Sequence, residues 1–102
     1  MLQAQASMHE LKTFHRALGD SNRLRIVRIL ATEGEHSVSA LVSRLGLSQP
    51  LLSWHLHRLR RAGIVRTSRV GREVRCSFDR ERFAALQEHS LQSLLDPSEA
   101  SR

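Results

Sequence analysis

Seven arginines crowd the eighteen residues from Arg58 to Arg75, with Glu73 as the one acid among them, so this stretch alone carries +6. Residues 1–57 sum to +2 and residues 76–102 to −2, which leaves the chain at a net +6. Fifteen of the 16 basic residues are arginine. The planar guanidinium fork suits paired contacts to phosphate oxygens and to the guanine edge. A run of charge is usually a solvated face, but the density inside one short stretch points to a polyanion. Just ahead of it stand Ser48, Gln49, Pro50, Ser53, Trp54 and His57. Glutamine can fork onto adenine, serine and the tryptophan N–H can hold phosphate, and Pro50 with Leu51 can touch a thymine methyl.

Other chemistries find little support. Cys76 is the single cysteine, so one chain can form no internal disulfide and no multi-thiolate zinc site. There is no glycine-rich phosphate loop among the 5 glycines. No paired catalytic carboxylates, nucleophile with its base, or metal cluster is apparent, so no enzyme and no cofactor is expected. No apolar run approaches a membrane span. The N-terminal residues MLQAQASMHELK lack a basic stretch followed by an apolar one. The expected setting is cytoplasmic.

These side chains must be held by something, and leucine spacing says what. The chain has 16 leucines against 3 Phe, 1 Trp and no Tyr, which favours helix. Met8, Leu11, Phe14, His15 and Leu18 fall at steps of three and four, one helical face. Asp20 or Ser21 can cap a second helix to about Thr32, with Leu24, Val27 and Leu30 inward and Ile26 and Ile29 beside them; Glu33-Gly34-Glu35 ends it. A short third helix covers about Val38 to Leu45, and Gly46 stops it. Ser48 caps a fourth, with Pro50 in its first turn and Leu52, Leu56 and Leu59 inward, ending at Ala62-Gly63. Ile64 to Ser68, a turn Arg69-Val70-Gly71-Arg72, and Glu73 to Phe78 read as a hairpin with Val74, Cys76 and Phe78 on one face. Residues 79–95 read as a last helix capped by Asp79, with Pro97 beyond it. The expected unit is a single domain over residues 1–102, with loose termini at about 1–7 and 97–102.

The short helix, the turn Leu45-Gly46-Leu47-Ser48 and the next helix match a helix-turn-helix, in which the second helix enters the DNA major groove. Ser48, Gln49, Pro50, Ser53, Trp54 and His57 are then the groove-facing residues, and Arg61 adds charge at the helix's far end. Trp54 is expected outward, because Leu52 and Leu56 already fill the inward face. Arg69 and Arg72 sit at the hairpin tip, suited to phosphate or a narrow minor groove. A helix-turn-helix followed directly by a basic hairpin is a winged helix-turn-helix. The fold class is therefore mainly α with a small β-hairpin (α+β), in the order helix, helix, short helix, helix, hairpin, helix.

At residues 17–30, ALGDSNRLRIVRIL, and 41–78, LVSRLGLSQPLLSWHLHRLRRAGIVRTSRVGREVRCSF, the sequence resembles the ArsR/SmtB-type bacterial transcriptional repressors. The resemblance implies a homodimer joined through the first and last helices. That dimer would bind an inverted repeat in double-stranded DNA, repress transcription, and be released by an inducer, often a metal ion. The dimer also follows from the apolar excess on those two helices.

The sequence departs from the family's metal sites. The arsenic-type cysteine pair corresponds to Ser37-Val38-Ser39, whose hydroxyls do not replace soft thiolates. The zinc-type ligands of the last helix correspond to Arg80, Arg82, Ser93 and Asp96. A non-standard alternative remains, in which His9, His15 and His89 converge across a dimer with Glu10 or Glu88 to hold nickel or zinc. The blander reading packs His15 at the seam and leaves the other two solvated. His36 falls in a loop without a role, His55 is structural or a phosphate contact, and His57 faces DNA. Cys76 reads as a buried, inert thiol, a redox switch being disfavoured for want of a resolving thiol. Two other classes compete with a DNA-binding regulator: a protein-interaction winged helix and, with only four aromatic residues, a weaker RNA-binding domain. The sequence names no inducer, operator or target gene.

Overall fold

The computed structural model describes residues 8–96. The termini expected to be loose, 1–7 and 97–102, lie outside the described residues. The elements are α1 (Met8–Leu18), α2 (Ser21–Glu33), β1 (His36–Ser37), α3 (Val38–Leu45), α4 (Gln49–Arg61), β2 (Val65–Val70), β3 (Glu73–Phe78) and α5 (Arg80–Leu95). Four of the five helices open on a side chain that accepts a backbone N–H: Asp20 from Arg23, Ser37 from Ala40, Ser48 from Leu51 and Asp79 from Arg82. Gly46 ends α3 at φ 68°, where its N–H reaches the carbonyl of Val42. A side chain there would be strained by the left-handed backbone, so the sharp turn into α4 needs glycine.

One core binds the elements. Phe14, Ile26, Leu41, Leu52, Leu59, Ile64, Val65 and Cys76 are almost wholly withdrawn from solvent. They come from α1, α2, α3, α4 and the sheet, so the two helices of the helix-turn-helix cannot shift without disturbing every layer. Phe14 meets Phe83 edge to face with centroids 5.2 Å apart, and Phe83 meets Phe78 at a tilt with centroids 5.3 Å apart, joining α1 to α5 and β3.

Three local expectations are corrected. The inward face of α2 is Arg23, Ile26, Ile29 and Leu30, whereas Leu24 is 49% exposed. Helical spacing allows both faces, and the core selects the one with two isoleucines, at the expense of burying an arginine. The hairpin strands run further than expected, to Val70, so Arg69 is a strand residue opposite Val74 and the turn is Gly71-Arg72 alone. Gly71 at φ 63° permits that two-residue turn. His36 is not in a loop. It lies in β1, which pairs antiparallel with β3 (His36 opposite Cys76, Ser37 opposite Arg75) and makes a three-stranded sheet in the order β1-β3-β2. Two residues carry no alternation to detect.

Candidate nucleic-acid interface

Ser48 and Pro50 set the start of α4, and the buried stripe Leu52, His55, Leu56 and Leu59 fixes its rotation. Gln49, Pro50, Ser53, Trp54, His57 and Arg61 are therefore turned to solvent together, with Ser48 exposed at the cap. Arg69 and Arg72 are exposed on the hairpin. The structure gathers seven of these nine residues into two groups, with Ser48 and Pro50 at the start of α4 between them. Gln49, Ser53 and His57 line a groove closed on its other wall by Arg69 and Arg72. Arg60 crosses that groove's end: its guanidinium donates to Thr67 Oγ1 on β2 at 3.4 Å and lies 3.5 Å from His57 Nδ1. Trp54 and Arg61 stand on the opposite flank of α4. Arg61 and Arg58 line a second groove, against α1.

The arginines divide by partner. Arg44 forks onto Glu33 at 2.7 and 2.6 Å, Arg75 bonds Glu35 at 2.6 Å and Glu73 at 3.1 Å, and Arg66 lies 3.6 Å from Asp79. The side chains of Arg61, Arg69 and Arg72 make no hydrogen bond or ion pair with another described residue. Charge is therefore available to an outside anion on α4 and the hairpin, and Arg16 of α1 and Arg28 of α2 are exposed as well.

Arg23 was not singled out as functional in the sequence, and it holds this surface from behind. Arg23 is 6% exposed, and its guanidinium donates only to neutral acceptors. It donates to the carbonyl of Ala17 at 2.8 Å, to that of Arg16 at 3.5 Å, and to His55 Nδ1 at 3.0 Å. The two carbonyls belong to the last turn of α1 and have no partner within that helix. Because arginine only donates, His55 Nδ1 accepts and the ring is neutral. Burial is the largest cause pushing the His55 pKa below 6.5, the Arg23 charge adds to it, and Asp20 opposes it. Asp20 Oδ1 lies 4.0 Å from His55 Nδ1. Beside this cluster, Trp54 is 49% exposed, with Arg58 5.0 Å and Arg23 5.4 Å from its ring centroid. The signal for Arg23 was present in its spacing, three residues before Ile26 on the buried stripe.

The remaining histidines separate. His15 is exposed on α1 and hydrogen-bonds Ser90 of α5 at 2.8 Å. His9 lines the α1–α4 groove, and His89 is half-buried on α5. Within one chain, no three His, Cys, Asp or Glu among the described residues gather closely enough to hold a metal. Ser37, at the arsenic-type position, caps α3. Cys76 is fully buried, and burial pushes its thiol up to about 11. No helix among the described residues is long and apolar enough to cross a membrane.

Two packed helices with a tight turn, followed by a basic hairpin on a three-stranded sheet, define a winged helix-turn-helix. The sequence pattern of the helix-turn-helix domain family matches residues 18–68. The arsenic resistance transcriptional regulator of Pseudomonas putida is 44% identical over 59 residues, which is 58% of this chain and 46% of that protein. A "probable mercury resistance operon repressor" of Streptomyces lividans is 37% identical over 73 residues, 72% of this chain and 58% of that protein. The chain thus spans about half the length of these relatives. A crystal structure of an ArsR family transcriptional regulator superposes with a TM-score of 0.75 at 26% identity, covering 88% of this chain and 92% of the other. The chain belongs to the ArsR-type winged helix-turn-helix family.

Proposed function

We propose that this chain is a sequence-specific DNA-binding transcriptional regulator that acts as a repressor and binds an inverted repeat as a homodimer. The observation that carries the reading is the solvent-facing side of α4, polar and apolar by turns, bordered by arginines whose side chains pair with no other described residue. In this reading α4 lies in the major groove. Gln49, Pro50, Ser53 and His57 meet base edges, Ser48 and Trp54 meet phosphate, and Arg61 adds charge beside them. Arg69 and Arg72 reach phosphates or the minor groove alongside. One relative's name, an operon repressor, supports repression. The dimer rests on Met8, Leu91, Leu94 and Leu95, which α1 and α5 leave exposed. The whole acts as one winged-helix unit, and no catalytic step or cofactor is assigned to it.

The test is a titration with the fragment upstream of the chain's own gene, beside random duplex, across a range of salt. Gln49→Ala should lose preference at one base pair, an effect of about 1–3 kcal/mol. Arg72→Ala should weaken binding to every sequence alike and lower the salt slope by roughly 1. If Gln49→Ala left affinity and preference untouched, the docking of α4 would be wrong. Adding zinc or nickel after chelation tests whether the dispersed histidines act across a dimer.

A further inference from the structure

The α1–α4 groove is the feature that reading does not use. Its lining is His9, Thr13, Arg16 and Ala17 from α1, with Arg58 and Arg61 from α4. On α1, His9, Thr13 and Arg16 are spaced i, i+4, i+7, so they form one stripe along the helix. On α4, Trp54, Arg58 and Arg61 repeat the same spacing. Arg58 and Arg61 of that stripe face the α1 stripe across the gap, and Trp54 continues it beyond the lining. No acidic side chain among the described residues lines it. The guanidinium groups of Arg16, Arg58 and Arg61 make no ion pair or hydrogen bond with another described residue. Three cations with no anionic partner among the described residues, beside a hydroxyl and an imidazole, leave the site short of negative charge. The Arg58 guanidinium lies 5.0 Å from the Trp54 ring centroid, within cation–π reach, which restrains it beside the site.

The groove also stays open when the proposed dimer forms. His15, which contacts α5, lies on the other flank of α1 from the His9, Thr13 and Arg16 stripe. Met8, the exposed apolar residue that α1 brings to the proposed dimer, stands seven residues before His15 and shares its flank, so a partner seated there approaches α1 from the side away from the groove.

We propose that this groove is a seat for a phosphate group of the DNA backbone, on the strand across the major groove from the one the hairpin meets. The inference rests on the docking of α4 given above. A helix in the major groove has a sugar–phosphate strand on each side of it. The hairpin groove supplies Arg69 and Arg72 on one flank of α4, and the α1 groove supplies Arg16, Arg58 and Arg61 on the other. The protein thus grips both strands, and the first helix takes part in binding as well as in holding the fold.

The experiment measures the salt dependence of affinity for a random-sequence duplex with the full chain. Arg16→Gln alters an exposed side chain, and far-UV circular dichroism confirms that the variant folds. Loss of one phosphate contact should reduce the slope of log affinity against log salt by about 0.9, and cut affinity at low salt severalfold. Arg16→Lys keeps the charge and should keep the slope. A slope unchanged in Arg16→Gln, with the wild type binding duplex tightly and Gln49→Ala altering its preference, overturns the seat and leaves the functional reading intact. A changed slope with no Gln49→Ala effect keeps a phosphate contact at Arg16 but overturns the docking of α4, and with it the placement of the seat on the strand across the major groove. A second arm titrates inorganic phosphate and follows Trp54, the single tryptophan, through its stacked Arg58. Saturable emission changes lost in Arg16→Gln, together with an unchanged DNA slope, assign the groove to a small free oxyanion and overturn the backbone assignment.

Discussion

His55 shows how one side chain ties the reading helix to the solution around it. It is 3% exposed, accepts from Arg23, and has its pKa held below 6.5 chiefly by burial. The unfolded chain therefore takes up a proton on this ring at a higher pH than the folded chain does. Its contribution to stability is complete above about 6.5 and declines as pH falls through 6.5 towards the lower folded value. Urea midpoints on either side of 6.5 should show this fall, and His55→Gln, which can still accept from Arg23, should show a smaller one. An equal fall in the variant would shift the cause to another group. Protonation would also turn the acceptor of Arg23 into a second cation beside it, so the loss is felt where α1, α2 and α4 meet.

At the scale of elements, capping and glycine carry much of the design. Gly46 holds α3 and α4 at their angle with φ 68° and open space around it. Gly46→Ala meets no steric neighbour, yet should lose roughly 1–2 kcal/mol in urea unfolding from the left-handed backbone alone. A neutral result would mean the turn relaxes to a different geometry. These signals were legible: Asp20, Ser37, Ser48 and Asp79 are cap residues of ordinary type, and the alternation of Val74, Cys76 and Phe78 revealed the hairpin. The solvent face of α4 followed from its leucines. Three things were not legible. The face of α2 depended on which apolar residues the core accepts, and local spacing left Leu24 and Arg23 both eligible. The strand β1 exists only because β3 passes beside it, a contact across some 40 positions that no local pattern reports. The α1 groove needs α1 and α4 packed together before its arginines become neighbours.

For the whole molecule, α5 carries three exposed leucines, Leu91, Leu94 and Leu95, and α1 adds Met8, while Leu24, Leu51, Trp54 and Val70 are exposed on α2, α4 and β2. Leu94 is 80% exposed and Leu95 68%, a large apolar exposure for a helix that also supplies Leu86 to the core. If these side chains bury one another in a symmetric pair, Leu94→Glu should shift the chain from dimer to monomer in sedimentation equilibrium. Duplex affinity should fall with it, since two linked reading heads bind far more tightly than one. An unchanged mass would move the interface elsewhere. The hairpin carries a different consequence, one of descent. Its strands are in plain antiparallel register from Val65 opposite Phe78 to Val70 opposite Glu73, and its turn has two residues with open space around Gly71. Inserting one residue in each strand would exchange the inward and outward faces beyond the insertion, while inserting two in each would preserve them. Lineages can therefore lengthen this arm only in even steps, each adding roughly 7 Å of reach, and the reading head can adapt to wider or narrower DNA without any change in the core.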